Sequence, residues 1–137
     1  MEQRRFHRVK INIPSEFKHH DMNYRCRLEN ISLRGALISA DECIMVPLGE
    51  TGIFSIYLES EHPPLVISAT VVHCFFSMVG VKFVAFAEDA ENRLFELLKR
   101  NTQEPVKLMH EWEALQTRKE TLQQEQENMS RSSAAPS

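Results

Sequence analysis

Arg4, Arg5 and Arg8 crowd the start of the chain in the string Arg-Arg-Phe-His-Arg, with Lys10 close behind and only Glu2 opposing them. Arg4 and Arg8 are four apart, so they project to one side in either a helical turn or an extended strand. A guanidinium is a planar fork that fits phosphate oxygens and the O6/N7 edge of guanine, and its flat face stacks on a base. Lysine supplies the charge without the fork or the plane. Taken alone, such a string is also what a solvated basic arm looks like. A second polar group lies in Asn30-Ile31-Ser32-Leu33-Arg34-Gly35. Asn30 and Ser32 are two apart, and their amide and hydroxyl can bond a base edge or a phosphate oxygen from one face of a strand. Gly35 lets the backbone approach a ligand closely, or adopts a conformation closed to other residues. The competing reading of this segment is a turn closed by local Asn and Ser hydrogen bonds.

The elements that must hold these groups read as strands. Val9, Ile11 and Ile13 alternate with Lys10 and Asn12, Pro14 suggests an edge or a bend, and Phe17 rejoins the apolar face. Tyr24, Cys26 and Leu28 alternate with Arg25, Arg27 and Glu29. Residues 33–40 read as a third strand broken at Gly35, 41–52 as a loop, and 53–58, 65–74 and 78–86 as three more strands. Six short strands with no helix between them predict a mainly β fold, an antiparallel barrel or sandwich. At Glu88 the period changes. Asp89 is placed to cap a helix carrying Leu94, Leu97 and Leu98, and Pro105 opens a second helix with Leu108, Trp112, Leu115 and Leu122 at helical spacing. That helix either packs on the barrel by its first half or forms a homodimer seam, although Lys119 falls at a core position of the seam. The expected organisation is a barrel domain over 1–101, a helical extension over 102–128 and a disordered tail over 129–137.

Composition narrows the function. With 137 residues the chain is one domain in size, and its net charge of −3 argues against a general nucleic-acid binder while permitting a local basic site. The odd set Cys26, Cys43 and Cys74 has no CxxC spacing, so reduced thiols in a cytoplasmic protein are expected rather than disulfides. With His19, His20 and His73 these cysteines match no common zinc pattern, and no metal site is expected. Residues 65–87 are apolar enough to suggest a membrane span, but His73 and Lys82 interrupt them, and two strands are expected instead. No phosphate loop, HExxH or nucleophile beside a base is visible, so no enzyme is expected.

Together the two polar segments resemble the PilZ domain family of bacterial cyclic di-GMP receptors. The family pattern RxxxR is met by Arg4 and Arg8, and (D/N)xSxxG by Asn30, Ser32 and Gly35, while Gly80-Val81-Lys82-Phe83 is similar to a Gly-x-x-Phe element of the last strand. The resemblance runs from about Gln3 to Arg100. It implies a six-stranded antiparallel barrel with C-terminal helices and a flexible arginine arm that closes over the ligand. Carried over, Arg4 and Arg8 would grip phosphate and guanine with Arg5 assisting, Asn30 and Ser32 would contact the other guanine, and Gly35 would leave room. His73 stands where some members place a tryptophan beside the base, as a stacking group or as a bystander. The partners implied are cyclic di-GMP and an unidentified protein effector, with no nucleic-acid polymer and no membrane. The alternative is an interaction adaptor of the same fold that does not bind the nucleotide.

Overall fold

The computed structural model describes residues 6–42, 44–58 and 63–134. Six strands, β1 (Val9–His19), β2 (Met22–Ile31), β3 (Gly35–Ala40), β4 (Thr51–Ile56), β5 (Leu65–Phe75) and β6 (Met78–Phe86), precede helices α1 (Ala90–Asn101) and α2 (Pro105–Ala134). The strands close into an antiparallel barrel in the order β1-β2-β3-β6-β5-β4. Closure comes from the pairing of β1 with β4 over Ser15 to Lys18, and it leaves no long edge for another chain to extend. Pro14 is tolerated inside β1 because it sits where that pairing ends, and its carbonyl accepts a bond from the Tyr57 N–H.

Alternation fills the interior. Tyr24, Cys26 and Leu28 on β2, Phe54 and Ile56 on β4, and Leu65, Ile67, Ala69 and Val71 on β5 are all buried. Leu94 and Leu98 of α1 and Leu108 of α2 are buried with them. Phe95 stacks on Trp112, with ring centroids 4.3 Å apart, and joins the two helices. The stretch suspected of crossing a membrane is the β5–β6 hairpin, and among the described residues no helix is long and apolar enough to do so.

Four differences from the sequence reading have physical causes. Gly35 opens β3 instead of interrupting it, because residues 32–34 form the turn out of β2. β4 begins at Thr51, where its hydroxyl meets that of Thr70 across the pair. Asp89 occupies the N-cap of α1 but makes no side-chain capping bond, and its carbonyl accepts the Arg93 N–H instead. Helix α2 runs on through Ala134, into the segment expected as a disordered tail. Only its first part packs on the rest of the molecule, and every residue from Thr117 to Asn128 is exposed. Lys119 pairs with Glu91 of α1.

Two of the three thiols lie among the described residues, and their surroundings differ. Cys26 is buried and Cys74 is exposed. Burial pushes the Cys26 thiol up to about 12, against a smaller opposing effect of a backbone hydrogen bond. At pH 8 its reactive thiolate is therefore roughly one part in ten thousand. Alkylation of the native protein followed by peptide mass spectrometry is expected to modify Cys74 within minutes and to leave Cys26 unmodified until denaturant is added.

Candidate functional site

Two strands change the side on which their residues point. On β2, Leu28 pairs with Ile38 and Asn30 with Leu37, so Glu29 is an extra residue. Continued alternation from Tyr24, Cys26 and Leu28 would drive Asn30 into the core. The bulge instead hands the interior to Ile31, which is fully buried, and leaves Asn30 half-buried on the outer face. On β5, Val71 pairs with Val81 and His73 with Gly80, so Val72 is extra. The series Leu65, Ile67, Ala69 and Val71 ends there, and His73 turns outward.

The outward imidazole has a prepared seat. A β-carbon at Gly80 would stand 2.4 Å from the His73 ring, so the ring lies directly on the glycine backbone. Gly35, next along the same outer face, is required for a different reason: a β-carbon there would come 2.5 Å from the carbonyl oxygen of Val81. Gly35 therefore leaves room for the neighbouring strand, and it also lines the outer cleft described below. Ser32 is also used internally. It is 2% exposed, and its hydroxyl accepts the N–H groups of Arg34 and Gly35 at 3.1 and 3.2 Å. It closes the turn that presents Arg34.

Arg8 reaches across from the start of β1 and donates to Asn30 Oδ1 at 2.6 Å. This fixes the Asn30 amide so that its NH₂ group remains to donate outward. Arg34 lies over the Phe6 ring, 5.4 Å from its centroid, a cation–π contact that orders both groups. Between Arg8, Arg34, His73 and Lys82 runs an open cleft of about 510 Å³, floored by Gly35 and Val81 and flanked by Phe6 and Val72. A second cleft, of about 270 Å³, continues past Arg8, Asn30, His73 and Gly80. The larger cleft is of ligand-site size. Three permanent cations and no carboxylate line the larger one, a locally positive cleft on a chain of net charge −3.

Of the residues singled out in the sequence, the structure brings Arg8, Asn30, Ser32, Gly35 and His73 to this face. Arg4 and Arg5 lie outside the described residues. Sequence reasoning gave no role to Arg34 and Lys82. The available signal was their position: Arg34 immediately precedes Gly35, and Lys82 shares the outward parity of Gly80. It also missed His7. The His7 N–H donates to both carboxylate oxygens of Glu111 in α2, at 3.0 and 2.9 Å, and its Nε2 meets Thr102 Oγ1 between the helices at 2.5 Å. The segment carrying the arginines is thereby tied at its root to the helical extension.

A family model described as PilZ domain matches residues 2–100. No curated protein matches the sequence significantly. Among solved structures, the Bacillus subtilis inhibitor of motility (MotI/DgrA) is similar with a TM-score of 0.60 and 16% identity, over 73% of this chain and 51% of that one. This chain therefore corresponds to about half of that protein. The PilZ domain of CeSA from a cellulose-synthesizing bacterium is similar with a TM-score of 0.53 and 18% identity, over 66% of this chain and 93% of that one.

The two glycines give a test of the face itself. Gly35→Ala meets rigid backbone and is expected to cost about 1–3 kcal/mol. Gly80→Ala meets an exposed ring that can swing away and is expected to cost less than about 1 kcal/mol. Urea unfolding of both variants beside the parent protein measures the difference.

Proposed function

Because the chain belongs to the PilZ domain family, a family of cyclic di-GMP receptors, we propose that this protein binds cyclic di-GMP on the outer barrel face between Arg8, Asn30, Arg34, His73 and Lys82. The observation that carries the reading is the convergence of forked and flat cations, an oriented amide and a seated imidazole on one face whose larger cleft has no carboxylate. A dianionic dinucleotide asks for those groups. Arg8 offers its fork to phosphate or to guanine O6/N7, with Arg4 and Arg5 adding charge from the arm. Arg34 and Lys82 neutralise the second phosphate. His73 gives a flat surface for one base, and the Asn30 NH₂ group donates to a carbonyl or ring nitrogen of the other. Ser32 and Gly35 act indirectly, by building the turn and the close strand pair beneath. The receptor reading assigns no reaction to the site.

Binding becomes a signal through differential contacts. Phosphates relieve the repulsion among the arm guanidiniums and hold the arm against the barrel. The root of that arm at His7 is bonded to Glu111 and Thr102, so its position bears on α2. The exposed part of α2 is the surface offered to a protein effector.

Calorimetric titration of the full chain with cyclic di-GMP tests this. Binding near the micromolar range is expected, about −8 kcal/mol, with no heat from GTP. Arg8→Ala is expected to weaken it by at least about a hundredfold, because two charge-assisted bonds go. The absence of heat at any practical concentration would instead support the adaptor reading, in which the fold binds a protein without the nucleotide.

A further inference from the structure

At the opposite end of β1 the chain makes a second constellation. β1 and β2 are joined by the two-residue turn His20-Asp21, with His19 paired to Met22. In a continuing strand the rings of His19 and His20 would point to opposite faces. His20 instead has φ of 56°, a left-handed conformation uncommon outside glycine, asparagine, aspartate and histidine. This bend brings the two imidazoles to 4.0 Å between centroids, at 60° to one another. A third group arrives from the far side of the barrel seam. Glu50 precedes β4 and is fixed by its backbone, its carbonyl accepting the Val71 N–H at 3.0 Å. Its Oε1 lies 2.9 Å from His19 Nε2.

One ligand atom from each of His19, His20 and Glu50 falls within 4.8 Å of the other two. Around a divalent ion bound at about 2.0–2.1 Å, tetrahedral donors stand roughly 3.3 Å apart. Closing onto an ion therefore requires side-chain movement of about 1.5 Å or less, and His20 and Glu50 are exposed and free to make it. No hydrogen bond engages the His20 ring among the described residues. The backbone is already set, and only torsions of surface side chains change.

We propose that His19, His20 and Glu50 form a binding site for a divalent transition-metal ion, with water completing the coordination. Two imidazoles and one carboxylate suit zinc, nickel or copper, and disfavour magnesium and calcium, which prefer all-oxygen shells. On binding, the hydrogen bond between His19 and Glu50 is replaced by two coordinate bonds. The His19 ring proton then resides on Nδ1 while Nε2 binds the ion. The ion would clasp the β1–β2 turn to the start of β4, fastening the strand seam that closes the barrel. Ten residue steps of β1 separate this place from Val9, about 33 Å at 3.3 Å per residue, so the site is independent of the nucleotide-binding reading. Spacing along the sequence could not reveal it, because Glu50 is 31 residues from His19 and stands just before another strand, β4.

The test is titration of the untagged full chain with Zn²⁺ alone, followed calorimetrically and by competition with a chromophoric chelator. One ion per chain in the micromolar range is expected. His20→Asn keeps a residue that tolerates the left-handed bend, and it should weaken binding at least about tenfold. Glu50→Gln should do the same at an exposed position where folding is not at risk. Cys74→Ser should leave the affinity unchanged, which excludes the exposed thiol as the ligand. No binding up to about 1 mM, or wild-type affinity in both the His20 and Glu50 variants, would overturn the proposal.

Discussion

In a closed barrel every second side chain of each strand must enter the core, and that parity constrains everything placed outside it. Here it is broken on purpose-built extra residues, Glu29 in β2 and Val72 in β5. Without them Asn30 and His73 would continue the buried series of their strands, burying an amide and an imidazole with no designed partners. With them, both emerge on the same outer face within reach of Arg8. The bulges thus convert two residues of core parity into surface groups while the strand on either side of each keeps its pairing.

What surrounds those residues is arranged by small side chains and local bonds. Gly80 makes a seat for an imidazole, and Gly35 lets β3 approach the Val81 carbonyl. Ser32 spends its hydroxyl on the turn that holds up Arg34, which in turn lies on Phe6. The hydrogen bonds and steric gaps at the bottom of the face are internal to the protein, and the charges are left at its rim. Such a division suits recognition of an anion, since the rigid layer sets the geometry and the cations supply long-range attraction. The bond from His7 to Glu111 adds a mechanical consequence, because it places the arginine segment and the helical extension in one network.

Much of this was legible in the residues. Alternation marked β1 and β2, apolar runs between turn signals marked the other strands, and the shift of period at Glu88 marked the helices. Of the two polar segments, Arg8, Asn30, Ser32 and Gly35 lie together on the outer face. The remainder depended on three-dimensional facts that have no local trace. A bulge is a relation between two strands, so nothing in Leu28-Glu29-Asn30 announces that parity changes there. The internal use of Ser32 and Gly35 was open in the sequence, since a turn and a ligand contact call for the same residue types. Arg34 and Lys82 were visible as charges but acquired a role only when β3 and β6 became neighbours. The contact of His7 with Glu111 spans 104 residues, beyond any pattern of periodicity.

The central claim is one of place: that the nucleotide lies on the bulged outer face rather than elsewhere on the barrel. Amide chemical-shift mapping of the isotope-labelled full chain during titration with cyclic di-GMP tests it most directly. The account predicts the largest shifts at Arg8, Asn30, Arg34, Val72, His73, Gly80 and Lys82, with smaller ones at Thr102 and Glu111 and none at the His20-Asp21 turn. Binding that shifts other surfaces while leaving His73 and Gly80 unmoved would contradict it.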